Sequence, residues 1–131
     1  MILICGLPNS GKSTYSQRFE NVIHLDDFPR SKFLNCNKYV SETDGGVTVE
    51  GIYNLKCRRM KLLESCKDSS PKVCYWLDTP YEVCVRREAE GRQRQNVIEN
   101  SLIEPPTLDE GWDEIIIIRG DDNIECINRE K

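Results

Sequence analysis

The stretch Gly6-Leu7-Pro8-Asn9-Ser10-Gly11-Lys12-Ser13-Thr14 meets the spacing G-x-x-x-x-G-K-[ST] at every fixed position. An apolar run, residues 2–5, leads directly into it. Tyr15 and Phe19, at i, i+4 spacing, follow it on one face of a predicted helix over residues 12–19. Strand, glycine-rich turn and helix in that order are what a phosphate cradle needs. Glycines let consecutive N–H groups turn inward as an anion nest, and the helix start adds further unpaired N–H groups. Lys12 adds a point charge for the β- and γ-phosphates, and Ser13 offers a hydroxyl to Mg²⁺. Residues 6–14 are therefore the expected ATP-binding segment. A G-x-G-x-x-G dinucleotide turn is absent here.

Strand and helix signals continue to alternate along the chain. Strands are expected at residues 22–25, 47–52, Val73–Leu77 and Glu114–Ile118, with a weak one at 123–127. Helices are expected at residues 55–66, 80–90 and 96–103, while 29–46 is polar and poorly patterned. Strands separated by helices pair in parallel through right-handed crossovers. The predicted fold is an α/β three-layer sandwich with a mostly parallel five-stranded sheet. It forms one domain over residues 1–131, with a lid around 86–100.

Bulk properties narrow the classes. A length of 131 residues fits one domain, and 38% hydrophobic with 31% charged residues is a globular balance. The net charge of −4 lacks the basic surplus of a dedicated duplex-DNA binder. Seven cysteines occur without any C-x-x-C spacing, which argues against zinc and against a secreted disulfide framework. Reduced cysteines in the cytoplasm are the expectation. No apolar run approaches the ~20 residues of a membrane span, and residues 1–5 are too short for a signal peptide. A guanine-reading N-K-x-D string is missing: Asn37-Lys38-Tyr39-Val40 lacks the acid.

Two carboxylates close the second strand in His24-Leu25-Asp26-Asp27-Phe28. The carboxyl ends of strands line the ligand crevice in doubly wound sheets. A carboxylate there can take the proton of an acceptor hydroxyl, and Asp26 is the first choice; the alternative is that Asp26 or Asp27 caps a turn. His24 is expected to be partly buried structure, and Trp76 and Trp112 core. Four arginines, Arg86, Arg87, Arg92 and Arg94, cluster near Gly91. They suit a lid closing over phosphates, or a solvated face of i, i+4 pairs with glutamates. Arg58, Arg59 and Lys61 read as a solvated helix face.

These strings, with Glu50-Gly51-Ile52-Tyr53-Asn54-Leu55, Leu77-Asp78-Thr79-Pro80 and the closing Glu104-Pro105-Pro106-Thr107-Leu108-Asp109-Glu110-Gly111-Trp112-Asp113-Glu114, resemble the polynucleotide 5′-kinase-like branch of P-loop kinases. Within it the chain is similar to small "AAA domain" ATP-binding proteins of bacteria and phages, a zeta-toxin-related branch. The resemblance spans roughly residues 2–118. It implies Asp26 as general base and Glu50 as a water-mediated Mg²⁺ contact where the group usually has aspartate. It implies Arg86 as an arginine reaching ATP, and Arg92 or Arg94 as the further lid arginine. The group's acceptor-holding arginine is replaced by Pro29, with Arg30 one position later. The expected activity is γ-phosphoryl transfer from Mg·ATP to a nucleic acid 5′-OH, a nucleoside or nucleotide, or another small molecule. A slowly hydrolysing ATP-binding module and a zeta-toxin-like kinase of a cell-wall sugar nucleotide are the other readings.

Overall fold

The run Ile2–Gly6 forms β1, and its four buried residues have strands on both sides. In the computed structural model, which describes residues 1–90, 103–120 and 123–128, β1 lies between β3 (Thr48–Glu50) and β4 (Val73–Leu77). Outside these stand β2 (Val22–His24), β5 (Glu114–Ile118) and β6 (Ile124–Asn128), giving the order β2-β3-β1-β4-β5-β6. The first five are parallel and β6 returns antiparallel to β5. The weak tail signal is thus a full edge strand, and the sheet has six strands rather than the five expected.

The helices are α1 (Lys12–Ser16), α2 (Lys32–Ser41), α3 (Lys56–Ser65) and α4 (Tyr81–Ala89). Strand alternation divides the side chains between two layers. Leu3, Cys5, Val49, Cys74, Trp76, Ile115 and Ile117 pack with Cys36 and Val40 of α2 and Leu62 of α3. On the opposite face Tyr75 meets Tyr15 and Phe19 at ring separations of 5.7 and 5.4 Å. Leu7 and Cys84 of α4 form a smaller buried cluster.

Three boundaries depart from expectation. Helix α1 is shorter than residues 12–19; Arg18 and Phe19 continue it only through turn hydrogen bonds to Tyr15 and Ser16. Helix α2 arises within the segment that lacked pattern, because Phe33, Cys36 and Val40 pack inward at helical spacing. The strand expected over 47–52 ends at Glu50, where Gly51 turns the chain. The helix expected over 96–103 falls largely outside the described residues. All seven cysteines are free thiols. Among the described residues no helix is long and apolar enough to cross a membrane.

Candidate active site

The loop after β1 is shaped by its backbone. Asn9 stands at φ 64° and Gly11 at φ 100°, two left-handed positions with Ser10 between them. A residue with a Cβ is strained at the second, so glycine belongs there. The loop is anchored from outside: Thr79 Oγ1 donates to Ser10 O at 2.8 Å, and Arg87 Nη1 donates to Asn9 O at 2.8 Å. Its side chains are largely buried, and the buried Ser10 Oγ has no hydrogen-bond partner among the described residues. A cleft of about 740 Å³ opens over it, lined by Asn9 through Thr14 and by Thr79 and Arg87. Tyr15, Arg18, Leu77, Ile118, Gly120 and Ile124 complete its lining. The Arg18 guanidinium lies 4.4 Å from the Tyr15 ring centre. Arg119, between the lining residues Ile118 and Gly120, is ion-paired with Asp78 at 3.3 Å and with Glu125 at 3.1 Å.

Lys12 is buried at the base of the loop, and its Nζ donates to Leu7 O at 2.8 Å. Burial lowers the pKa of its ammonium, and the charges of Glu50 and Asp26 act against that fall. The two carboxylates therefore stand within electrostatic reach of Lys12, at the carboxyl ends of β3 and β2. Sheet register explains the convergence: Glu50 is aligned with Ile4 of β1 and with His24 of β2. Gly51 N donates to Ile4 O at 3.0 Å. A Cβ at Gly51 would lie 2.6 Å from the Leu25 Cβ, so only glycine lets the Leu25–Asp27 turn sit against the end of β3. That turn is a 3₁₀ turn with Leu25 buried and Asp26 and Asp27 exposed. Asp26 pairs with Lys32 of α2 at 3.2 Å. Glu50 is buried and bonds His24 Nδ1 at 2.8 Å.

The expected site residues thus divide. Residues 6–14, Lys12, Ser13, Asp26 and Glu50 come together around the end of β1. Arg86 is exposed on α4 and does not line the cleft; its neighbour Arg87 does. Arg92 and Arg94, with most of the expected lid, lie outside the described residues. Arg59 is a plain correction to the solvated-face expectation. It is fully buried and doubly paired with Glu110, so it stabilises the fold and does not face an acceptor. His24 is half-buried as expected, and its bond to Glu50 is a feature the sequence did not announce.

The loop suits a polyphosphate by shape as well as by sequence: a left-handed pair of residues, an unpartnered buried hydroxyl and a buried ammonium face one cleft. No family model matches the chain, and no curated relative is found. Solved structures do match. A protein described as a sugar kinase from Janibacter sp. HTCC2649 superposes with a TM-score of 0.66 at 15% identity, covering 90% of this chain and 83% of that one. A gluconokinase from Sinorhizobium meliloti 1021 gives 0.64 at 15% identity, covering 92% and 83%. The shared property at these identities is the fold, which in this chain is an α/β architecture with a mostly parallel sheet.

Proposed function

We propose that this chain is a P-loop kinase that moves the γ-phosphoryl group of Mg·ATP to a hydroxyl of a small acceptor. The observation that carries the reading is the placement of Lys12 between the cradle and two carboxylates, Asp26 and Glu50. The amides of residues 6–14 and the Lys12 ammonium hold the phosphates, and Arg87 steadies the loop through Asn9. Asp26, exposed at the carboxyl edge of the sheet, accepts the hydroxyl proton. The freed oxygen attacks the γ-phosphorus as the β–γ bridging bond breaks and ADP departs. Ser13 and, through water, Glu50 are the groups that would hold Mg²⁺. When bound, that ion supplies charge neutralisation between the phosphates. Gly120, Ile118, Ile124 and Tyr15 are the lining residues suited to the nucleobase.

A small acceptor is favoured over a nucleic acid end. The structural neighbours are described as acting on sugars or gluconate, which are small polyhydroxy compounds. The acceptor edge carries Asp26, Asp27 and Glu50, and Pro29 takes the place of the arginine that would hold a polynucleotide phosphate. The net charge of −4 points the same way.

The test is incubation with labelled Mg·ATP and three separate acceptor sets: sugars with sugar acids, nucleosides with nucleotides, and 5′-hydroxyl oligonucleotides. Label transferred to the first or second set supports the proposal. Transfer to oligonucleotides alone restores the polynucleotide reading. Release of inorganic phosphate alone points instead to a nucleotide-binding module.

A further inference from the structure

Glu50 and Lys12 are two buried groups of opposite charge that do not pair. Among the described residues the Lys12 side chain makes one hydrogen bond, to Leu7 O at 2.8 Å, and the Glu50 side chain makes one, with His24 Nδ1 at 2.8 Å. Yet α1, which begins at Lys12, packs against β3, which ends at Glu50. Of the carboxylates acting on Lys12, Glu50 acts most strongly. Two buried opposite charges attract one another with little solvent to screen them. A glutamate has three side-chain torsions with which to reach the ammonium. Something must hold it off, and in this chain that is the single histidine.

We propose that His24 is a positioning residue that tethers the Glu50 carboxylate and so keeps the Lys12 ammonium available to nucleotide phosphates. The inference rests on the nucleotide reading of the loop. The tether is built by register. His24 ends β2 directly beside Glu50 in β3, so the imidazole and the carboxylate meet on neighbouring strands. Nδ1 carries the N–H and donates to Oε1, since a carboxylate only accepts. Glu50 is 8% exposed and His24 39%, so the carboxylate has few alternatives in water while the imidazole keeps one side in solvent. Without His24 the buried carboxylate loses its side-chain partner among the described residues, and the Lys12 ammonium is a cation on which its charge already acts. A Lys12–Glu50 pair would have to be broken before each nucleotide could bind, so the loss appears as weaker nucleotide affinity.

The test is calorimetric ATP binding by the full chain in EDTA, which removes any contribution of Glu50 through a metal ion. Four proteins are compared: wild type, His24→Phe, His24→Asn, and the double variant His24→Phe/Glu50→Gln. His24→Phe should weaken ATP binding by about tenfold. His24→Asn keeps an N–H donor at nearly the Nδ1 position and should stay within about twofold of wild type. The double variant no longer has a carboxylate to trap Lys12 and should recover to within about threefold. A thermal melt of each protein accompanies the titration. If His24→Phe binds like wild type, the tether is overturned. If its loss is not restored by Glu50→Gln, His24 acts only on the packing of β2 and the tether is again overturned. A wild-type chain that takes up no ATP in EDTA or with Mg²⁺ overturns the nucleotide reading itself, which is a separate result.

Discussion

The Arg59 guanidinium and the Glu110 carboxylate meet fork to fork, Nε to Oε1 at 2.7 Å and Nη2 to Oε2 at 2.9 Å, with both side chains shut off from solvent. Further hydrogen bonds hold both groups. Arg59 Nη1 donates to Tyr53 O at 2.9 Å, Trp112 Nε1 donates to Glu110 Oε1 at 3.1 Å, and Thr107 N donates to Glu110 Oε2 at 3.0 Å. The pair fastens the segment before β5 onto α3, and through Tyr53 it reaches the loop that follows Glu50.

Removing one partner leaves a buried charge without compensation. Arg59→Ala and Glu110→Ala are each expected to cost about 3–5 kcal/mol. The double variant Arg59→Met/Glu110→Leu, which buries no charge, should cost clearly less than the sum of the two. Urea unfolding midpoints at constant slope would check this. Additive losses would show that the two side chains do not act as a pair.

This contact also marks where the sequence stops being legible. The cradle at residues 6–14 and the strands β4 and β5 were plain, because a motif with its own mechanism and continuous apolar runs are local signals. Arg59 looked like one of three solvated basic residues, since its partner lies 51 positions away and no local rule connects them. Helix α2 was hidden by Leu34 and Tyr39, large side chains that stay exposed and blur the stripe of Phe33, Cys36 and Val40. Which of Arg86 and Arg87 lines the cleft was hidden for a different reason. Adjacent residues on a helix point about 100° apart, and only the packing of α4, with Cys84 turned onto Leu7, fixes which arginine faces the loop.

That rotation gives a prediction for the two arginines. Arg87 touches the cradle through Asn9 O and lines the cleft, while Arg86 does neither. Arg87→Ala should weaken ATP binding about tenfold more than Arg86→Ala does. Titration of both variants with ATP and Mg²⁺ decides the order. If Arg86→Ala is the more damaging, the residue implied by the family resemblance is the working one after all.

Gly51 offers a way to move Asp26 without altering its chemistry. A methyl group at position 51 would meet the Leu25 Cβ at 2.6 Å and Cδ2 at 2.9 Å, so the turn carrying Asp26 must shift. Overpacking of this kind costs roughly 1–3 kcal/mol. Gly51→Ala should therefore lower kcat for phosphoryl transfer while leaving ATP affinity near that of the parent chain. Asp26→Asn should bind ATP and lose transfer by about 10²–10⁴-fold, the usual worth of a general base. Full turnover by Asp26→Asn would remove the base assignment. Unchanged kcat in Gly51→Ala would show that the turn has room to spare.

Lys12 supplies a pH dependence whose sign follows from its surroundings. Burial holds the ammonium below the ordinary lysine value of 10.5, and the charges of Glu50 and Asp26 only partly offset that. The free protein therefore sheds this proton at a lower pH than an ordinary lysine does. Bound phosphates favour the charged form and draw the proton back. ATP affinity should accordingly fall as the pH rises toward 10.5 from below, and binding in that range should take up a proton. Calorimetry in two buffers of different ionisation enthalpy measures both effects, with Lys12→Arg as a control that stays charged throughout. Constant affinity through the range, with equal heats in the two buffers, would mean that the ammonium holds its proton as firmly as a solvated lysine and that burial is not what governs it.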